Sequence, residues 1–173
     1  MKKGILTKTF AILASVAVLG VSSLVGASAA TNTTFSFEDV TAKAGETVTV
    51  NFDISDNAGL TSFGATATFD EGLTFIDFEV GNLFDASYFK DSGNRFVVTS
   101  AAEAAVTKDG TAFSLTFTVP EDAEVGTVYA IEWENLDAAQ NGSEDVEVSL
   151  VNGSITVVAD EEETTPEETT AET

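Results

Sequence analysis

The sequence predicts an all-β fold, a nine-stranded two-sheet β-sandwich with jelly-roll topology, and three observations support it. Apolar and polar residues alternate with period two through most of residues 33–158, the pattern of half-buried strands. Turn dipeptides such as Asp109-Gly110 and Asn152-Gly153 separate the alternating segments. The chain has 13 Phe and no Cys, so apolar packing rather than disulfides must hold it together. Many short strands divided by turns are typical of a sandwich.

The first three strands carry an apolar residue at every second position. In the first strand, Phe35 and Phe37 alternate with Thr34 and Ser36, so the two rings share one face. The second and third predicted strands are Thr47–Ile54 and Leu60–Phe69, whose inward residues would be Val48, Val50, Phe52, Ile54, Phe63, Ala65, Ala67 and Phe69.

The fourth predicted strand, Leu73–Val80, changes phase in its middle. Leu73 and Phe75 would share one face, whereas Ile76 and Phe78 would share the other. A β-bulge, or a strand buried on both faces, explains such a slip.

The fifth to ninth strands complete the sandwich. Arg95–Ser100 is short, and the flanking segments Asp85–Lys90 and Ala101–Val106 are predicted to be capable of a helical turn. Pro120 ends the sixth strand, as expected for a residue that lacks a backbone N–H. The sixth to ninth predicted strands are Thr111–Val119, Thr127–Leu136, Val146–Val151 and Ser154–Val158.

The N-terminal segment has the three parts of a secretory signal peptide. Three lysines in the first eight residues precede an uncharged apolar stretch over residues 10–25, and Ala27-Ser28-Ala29 is a small-residue cleavage site. A membrane anchor, the alternative, needs about 20 apolar residues and anchoring flanks. We predict that residues 1–29 are removed and that the protein is secreted by a bacterium, with possible attachment to the cell surface through a longer parent chain.

The C-terminal segment has a different composition from the body. Residues 160–173 read DEEETTPEETTAET and contain no aromatic or large aliphatic side chain. Like-charge repulsion and the lack of apolar area predict a disordered acidic linker or tail that contributes nothing to folding. A segment of this kind suggests either a fragment of a longer polypeptide or a module that ends in a vestigial tail, and it leaves residues 30–159 as the single folded domain.

Net charge excludes two classes of partner. Without residues 1–29 the chain has 4 basic and 29 acidic residues, a net charge of −25. Such a surface repels nucleic acid and anionic membranes, so neither is expected to bind.

The residue inventory argues against catalysis. The chain has no His and no Cys, which excludes Ser-His-Asp and Cys-His nucleophiles and the usual zinc sites. A pair of carboxylates could still act as in a glycosidase, but Trp133 and Tyr129 are in phase with the core rather than placed to stack on sugar. Asp53, Asp56 and Asn57 lack the spacing of a calcium loop. We predict a protein that is not an enzyme and has no metal or cofactor of its own.

A carbohydrate-binding sandwich is the main alternative from another class, and a structural domain of a surface adhesin is a third. Sugar binding needs exposed aromatic rings, and Tyr88-Phe89 is the one candidate pair outside the core pattern. We interpret the pair instead as a loop plug over one end of the core.

The order and spacing of several segments resemble the cohesin family, whose modules bind dockerins in cellulosomes and related bacterial assemblies. The resemblance spans residues 33–158. Its landmarks are Ala44–Val50, Gly59–Phe63, Phe69-Asp70, Leu73, Thr107–Gly110, Phe117–Val119, Gly126–Ile131 and Val151–Val157.

The resemblance implies adhesion through one flat sheet face, with calcium carried by the dockerin. Cohesins present four strands to the partner, here mapped onto Thr127–Leu136, Leu60–Phe69, Thr111–Val119 and Arg95–Ser100. The expected partner is a dockerin-bearing protein, such as a polysaccharide-degrading enzyme, anchored in an extracellular complex. The implied contact residues are Ser62, Gly64, Thr66, Thr68, Arg95, Val97, Thr99, Lys108, Ser114, Thr116, Glu132 and Glu134.

The implied face differs from that of familiar cohesins at two positions. Ser62 and Gly64 stand where those modules often have Asn and Asp, so the face is small and hydroxylic. Ordinary β-propensity would also place Ser and Thr on a solvated strand face. Thr66 is expected to be exposed at the centre, where Arg would block a partner and leave the fold intact.

Overall fold

The computed structural model describes residues 32–159, which contain twelve strands, no helix and two packed sheets. The predicted all-β, two-sheet sandwich is therefore confirmed. No helix in this part of the chain could span a membrane. The predicted signal peptide, residues 1–29, and the predicted tail, residues 160–173, lie outside the described residues.

Five strands form sheet A in the order β11-β1-β3-β8-β5. β1 and β11 run parallel, and the other neighbours pair antiparallel. The bounds are β1 Thr33–Phe37, β3 Thr47–Ser55, β5 Thr74–Val80, β8 Gly110–Thr118 and β11 Val148–Val151.

The other seven strands form sheet B, in the order β2-β12-β9-β4-β7-β6, with the short β10 paired to the end of β9. β12 and β2 run parallel, and the other neighbours pair antiparallel. The bounds are β2 Asp39–Ala42, β4 Leu60–Phe69, β6 Ala86–Ser92, β7 Arg95–Val106, β9 Val128–Asn141, β10 Glu144–Asp145 and β12 Gly153–Val157.

Aromatic rings from both sheets fill the centre of the sandwich. Phe52 of β3 is fully buried and lies 4.5 Å from the Phe113 ring and 5.2 Å from the Trp133 ring, measured between centroids. Trp133 of β9 stacks on Phe37 of β1 at 4.3 Å. Tyr129 is also buried, so both aromatic residues of β9 pack inward as predicted.

Two segments predicted to be capable of a helical turn are strands. Asp85–Lys90 falls mostly in β6, and Ala101–Val106 is the second half of β7. Ala and Glu favour helices locally, but pairing with β4 and β6 fixes this part of β7 as strand. By contrast, the predicted phase slip in β5 is confirmed, because its register with β8 shifts between Phe75 and Asp77.

The prediction that Thr111–Val119 shares a sheet with Thr127–Leu136, Leu60–Phe69 and Arg95–Ser100 is wrong. This segment is β8, which lies between β3 and β5 in sheet A. Ser114 donates a hydrogen bond to Asn51 Oδ1 at 2.8 Å, and Thr116 Oγ1 lies 3.2 Å from Thr49 Oγ1, both partners being on β3. Period-two alternation shows which side of a strand faces the core, but it does not show which sheet contains the strand.

Candidate functional site

The outward side of β6, β7, β4 and β9 is a regular lattice of sixteen side-chain positions, here called the four-strand face. The strands lie side by side, and the pairing register aligns their outward residues in four rows. The rows are Ala86, Ala101, Ser62 and Gln140; Tyr88, Thr99, Gly64 and Ala138; Lys90, Val97, Thr66 and Asn135; and Ser92, Arg95, Thr68 and Glu132.

The two central strands of this face carry mostly small side chains. Ser62, Gly64 and Thr68 lie on β4, and Thr99 is exposed beside Gly64 on β7. A Cβ placed on Gly64 would lie 3.8 Å from Thr99 Oγ1 and 3.9 Å from Asp137 Cβ, which is ordinary contact. Around Gly64 the face is therefore open enough for a rigid partner to approach the backbone closely.

Thr66 differs from the expectation of an exposed central residue. It lies on the outward side of β4, but only 3% of its surface is exposed. Arg95 of β7 and Glu134 of β9 form an ion pair with Nε and Oε2 2.5 Å apart, and this pair reaches across β4. Thr66 is flanked by Val97 of β7 and Asn135 of β9, and Arg at this buried position would disturb packing as well as binding.

β9 brings acidic and amide side chains to the face through two bulges. Its register with β4 shifts between Gly64 and Ala65 and again between Thr66 and Ala67. Glu132 and Glu134 are exposed, as predicted, but Asn135 and Asp137 also join the face. Strict alternation after Trp133 would turn Asn135 inward, so the bulge concealed it, and Asp137 lies beyond the predicted strand end at Leu136.

β6 supplies two residues that the sequence interpretation missed. Tyr88 is 60% exposed, and Lys90 is exposed two positions later on the same side. Phe89 turns inward and stacks on Phe78 with centroids 4.4 Å apart. The loop-plug interpretation is thus wrong for Tyr88, which lies on a strand. Alternation of Tyr88 and Lys90 around Phe89 was the available signal.

The predicted contact residues do not all lie together. Eight of them occupy positions of the four-strand face: Ser62, Gly64, Thr66, Thr68, Arg95, Val97, Thr99 and Glu132. Glu134 lies in a bulge of β9 beside these positions and pairs with Arg95. Ser114 and Thr116 lie on sheet A. Lys108 lies in the loop from β7 to β8, where its carbonyl accepts a hydrogen bond from Asn57 Nδ2 at 3.1 Å. It is therefore at one end of the sandwich, outside the sixteen positions.

Charge on the four-strand face is segregated by strand. Arg95 and Lys90 lie on β7 and β6, and they are two of the four basic residues beyond residue 31. Glu132, Glu134 and Asp137 lie on β9. Within residues 32–159, no group of three or more Asp or Glu side chains is placed to hold a metal ion. The four-strand face can therefore bind a partner whose surface is complementary to it in shape and in charge.

The Cohesin domain family model matches residues 33–157 of this chain. No curated protein sequence matches the chain closely enough to be a relative. Among solved structures, the chain is similar to the type I cohesin–dockerin complex Coh-OlpA-Doc918 from Clostridium thermocellum, with a TM-score of 0.68 and 16% identity over 73% of this chain and 99% of that one.

Two further similar structures come from different settings. A non-cellulosomal cohesin from the archaeon Archaeoglobus fulgidus has a TM-score of 0.67 and 20% identity, over 75% of this chain and 94% of that one. A type III cohesin module from the cell-surface anchoring scaffoldin ScaE of Ruminococcus flavefaciens has a TM-score of 0.66 and 21% identity, over 75% and 89%. At these identities, the likeness shows a shared fold.

Proposed function

Because the chain belongs to the cohesin family, we propose that it is a non-catalytic adhesion module that binds a dockerin through its four-strand face. The observation that carries this proposal is the geometry of the face. Small side chains lie at its centre, and larger polar or aromatic side chains lie on its outer strands. A flat surface of this kind suits a preformed partner, because little side-chain order is lost on binding.

The proposed partner is a dockerin-bearing protein, with a polysaccharide-degrading enzyme as the expected cargo. Several of the similar solved structures are cohesin–dockerin complexes, including one from Clostridium thermocellum and one from Acetivibrio cellulolyticus. Calcium would be carried by the dockerin rather than by this chain. The predicted signal peptide supports a further part of the proposal, that the complex forms outside a bacterial cell.

A direct sugar-binding role has less support from the same face. Tyr88 is the one aromatic residue among the sixteen positions of the four-strand face. Trp133 instead donates its indole N–H to the Val151 carbonyl at 3.1 Å and stacks on Phe37. Stacking platforms for sugar usually need more than one exposed ring, so a protein partner fits better.

A pull-down with matched controls tests the proposal. The immobilised chain is incubated with the secreted proteins of its source organism, in calcium or in EDTA, and binding to insoluble polysaccharides is measured in parallel. We expect dockerin-bearing proteins to be retained in calcium and lost in EDTA. Retention on polysaccharide with no dockerin-bearing protein on the beads would overturn the proposal.

A further inference from the structure

Lys90 is the basic residue of the four-strand face that forms no ion pair with any of residues 32–159. Its lattice neighbours are Tyr88, Ser92, Val97, Thr99 and Arg95, which are neutral or cationic. Asp91, the next residue, projects from the opposite side of β6. Among residues 32–159, no carboxylate forms an ion pair with Lys90.

The other charged residues of the face are already engaged. Arg95 pairs with Glu134 at 2.5 Å. Asn135 Nδ2 donates to Asp137 Oδ1 at 2.5 Å, and Asn152 Nδ2 lies 3.4 Å from Glu132 Oε1. A partner that competed for these groups would have to replace existing bonds, whereas a partner that paired with Lys90 would replace only water.

Distance isolates Lys90 from the acidic strand. β6 and β9 are separated by β7 and β4, so at about 4.8 Å per strand they lie about 14 Å apart. The Debye length at physiological ionic strength is about 8 Å. The acidic residues of β9 therefore neutralise Lys90 only weakly. Lys90 is the one charged residue among the four outward positions of β6, on a chain whose net charge is −22.

We propose that Lys90 selects among dockerins by pairing with a carboxylate on the partner, at the β6 edge of the four-strand face. This inference rests on the proposed function and names the charge that the partner must present. A dockerin with an acidic side chain opposite Lys90 binds, and one with a cation there is rejected, because like charges in contact are strongly unfavourable. Most of this acidic chain repels an acidic dockerin. The attraction between the carboxylate of the dockerin and Lys90 therefore also steers association toward the β6 edge.

The test uses charge reversal with a matched control. Lys90→Glu and Lys43→Glu change the net charge equally, but Lys43 lies in the β2–β3 connection, outside the face. Each variant and the wild-type chain are titrated with every recombinant, calcium-loaded dockerin module of the source organism. We expect Lys90→Glu to weaken binding by about tenfold or more, Lys90→Met to weaken it less, and Lys43→Glu to match the wild type. The difference should shrink as salt is added.

Rescue identifies the paired carboxylate. Each surface Asp or Glu of a bound dockerin is changed to Lys, and we expect one of these changes to restore binding to Lys90→Glu. Equal binding by Lys90→Glu and Lys43→Glu, or the failure of every reversal to rescue, would overturn the assignment of Lys90 while leaving the proposed function standing. A wild-type chain that binds none of the dockerins would overturn both.

Discussion

At the scale of single residues, Phe52 links the two sheets. Its ring lies within 5.7 Å of the rings of Phe35, Phe37, Phe63 and Phe113, and within 5.2 Å of Trp133, measured between centroids. Phe52→Ala should lower the free energy of unfolding by about 3–5 kcal/mol, because the cavity opens among rings that cannot all collapse into it. Urea denaturation measures the loss. Tyr88→Ala, at a residue that is 60% exposed, should change it by less than about 0.5 kcal/mol. Equal losses would contradict the core assignment.

Ionisation of Tyr129 is expected to lower the free energy of unfolding at alkaline pH. Burial, followed by the nearby charges of Asp70 and Asp122, raises the pKa of its hydroxyl above the usual value of 10.0. Below about pH 10 both folded and unfolded chains hold this proton, so the contribution of Tyr129 is complete. At higher pH the unfolded chain ionises first, and the contribution is lost as pH rises through the folded-state pKa.

Tyr129→Phe should therefore flatten the fall in unfolding free energy above about pH 10. Thermal unfolding at a series of alkaline pH values measures the slope. Tyr88→Phe removes an exposed tyrosine and is the control that should keep the wild-type slope. If both variants follow the wild type, Tyr129 ionisation does not destabilise the folded chain.

At the residue level, the sequence correctly predicted which side of a strand each side chain faces, but it did not predict how far Thr66 is exposed to solvent. Alternation correctly placed Phe63, Ala65 and Ala67 inward, and Thr66 outward. It could not show that Thr66 would be buried, because its neighbours on the adjacent strands, Val97 and Asn135, are distant in sequence. Exposure depends on the side chains of neighbouring strands, and a period along one strand contains no information about them.

At the scale of elements, Gly153 allows the chain to change sheets. Only Glu38 separates β1 in sheet A from β2 in sheet B, and this crossing passes directly over Gly153 at the start of β12. A Cβ at position 153 would lie 2.6 Å from both the Phe37 Cβ and the Glu38 carbonyl oxygen. There is no room for a side chain where the two strands meet.

Gly153→Ala should lower the unfolding free energy by about 1–3 kcal/mol through overpacking. Gly64→Ala is the matched control, since a Cβ there would make only contacts of 3.8 Å or longer. In a strand, that change should leave stability equal or slightly higher. Chemical denaturation measures the unfolding free energy of both variants. If Gly153→Ala is as stable as Gly64→Ala, the backbone at the crossing can move to accept a Cβ at little cost.

Element-level prediction identified most strands but not their neighbours. The bulge in β5 was visible, because the apolar residues themselves change phase. The position of β8 was not visible, since its alternating Phe113, Leu115 and Phe117 could pack from either sheet. The same limit hid β6, which is short and lies at a sheet edge. Strand order is set by long-range pairing, and the sequence pattern is local.

At the scale of the whole molecule, the two outer faces are chemically different. On sheet A, hydroxyl and amide groups of β3 and β8 bond to one another, as in Thr47 with Thr118 at 3.0 Å and Thr49 with Thr116 at 3.2 Å. On sheet B, the four-strand face has a flat centre with charged residues on the strands around it. The resemblance to cohesins predicted that a sheet face would bind, and the topology shows which strands lie side by side in each sheet.

The most direct test of the central claim compares the same substitution on the two faces. Thr99→Arg places a long cation on an exposed position of the four-strand face, and Thr49→Arg places it on an exposed position of sheet A. Each variant is titrated by calorimetry against a calcium-loaded dockerin that binds the wild-type chain. We predict that Thr99→Arg weakens binding by about a hundredfold or more, through steric block and an unpaired charge, while Thr49→Arg binds like the wild type. Loss of binding in Thr49→Arg, with Thr99→Arg unaffected, would contradict the account.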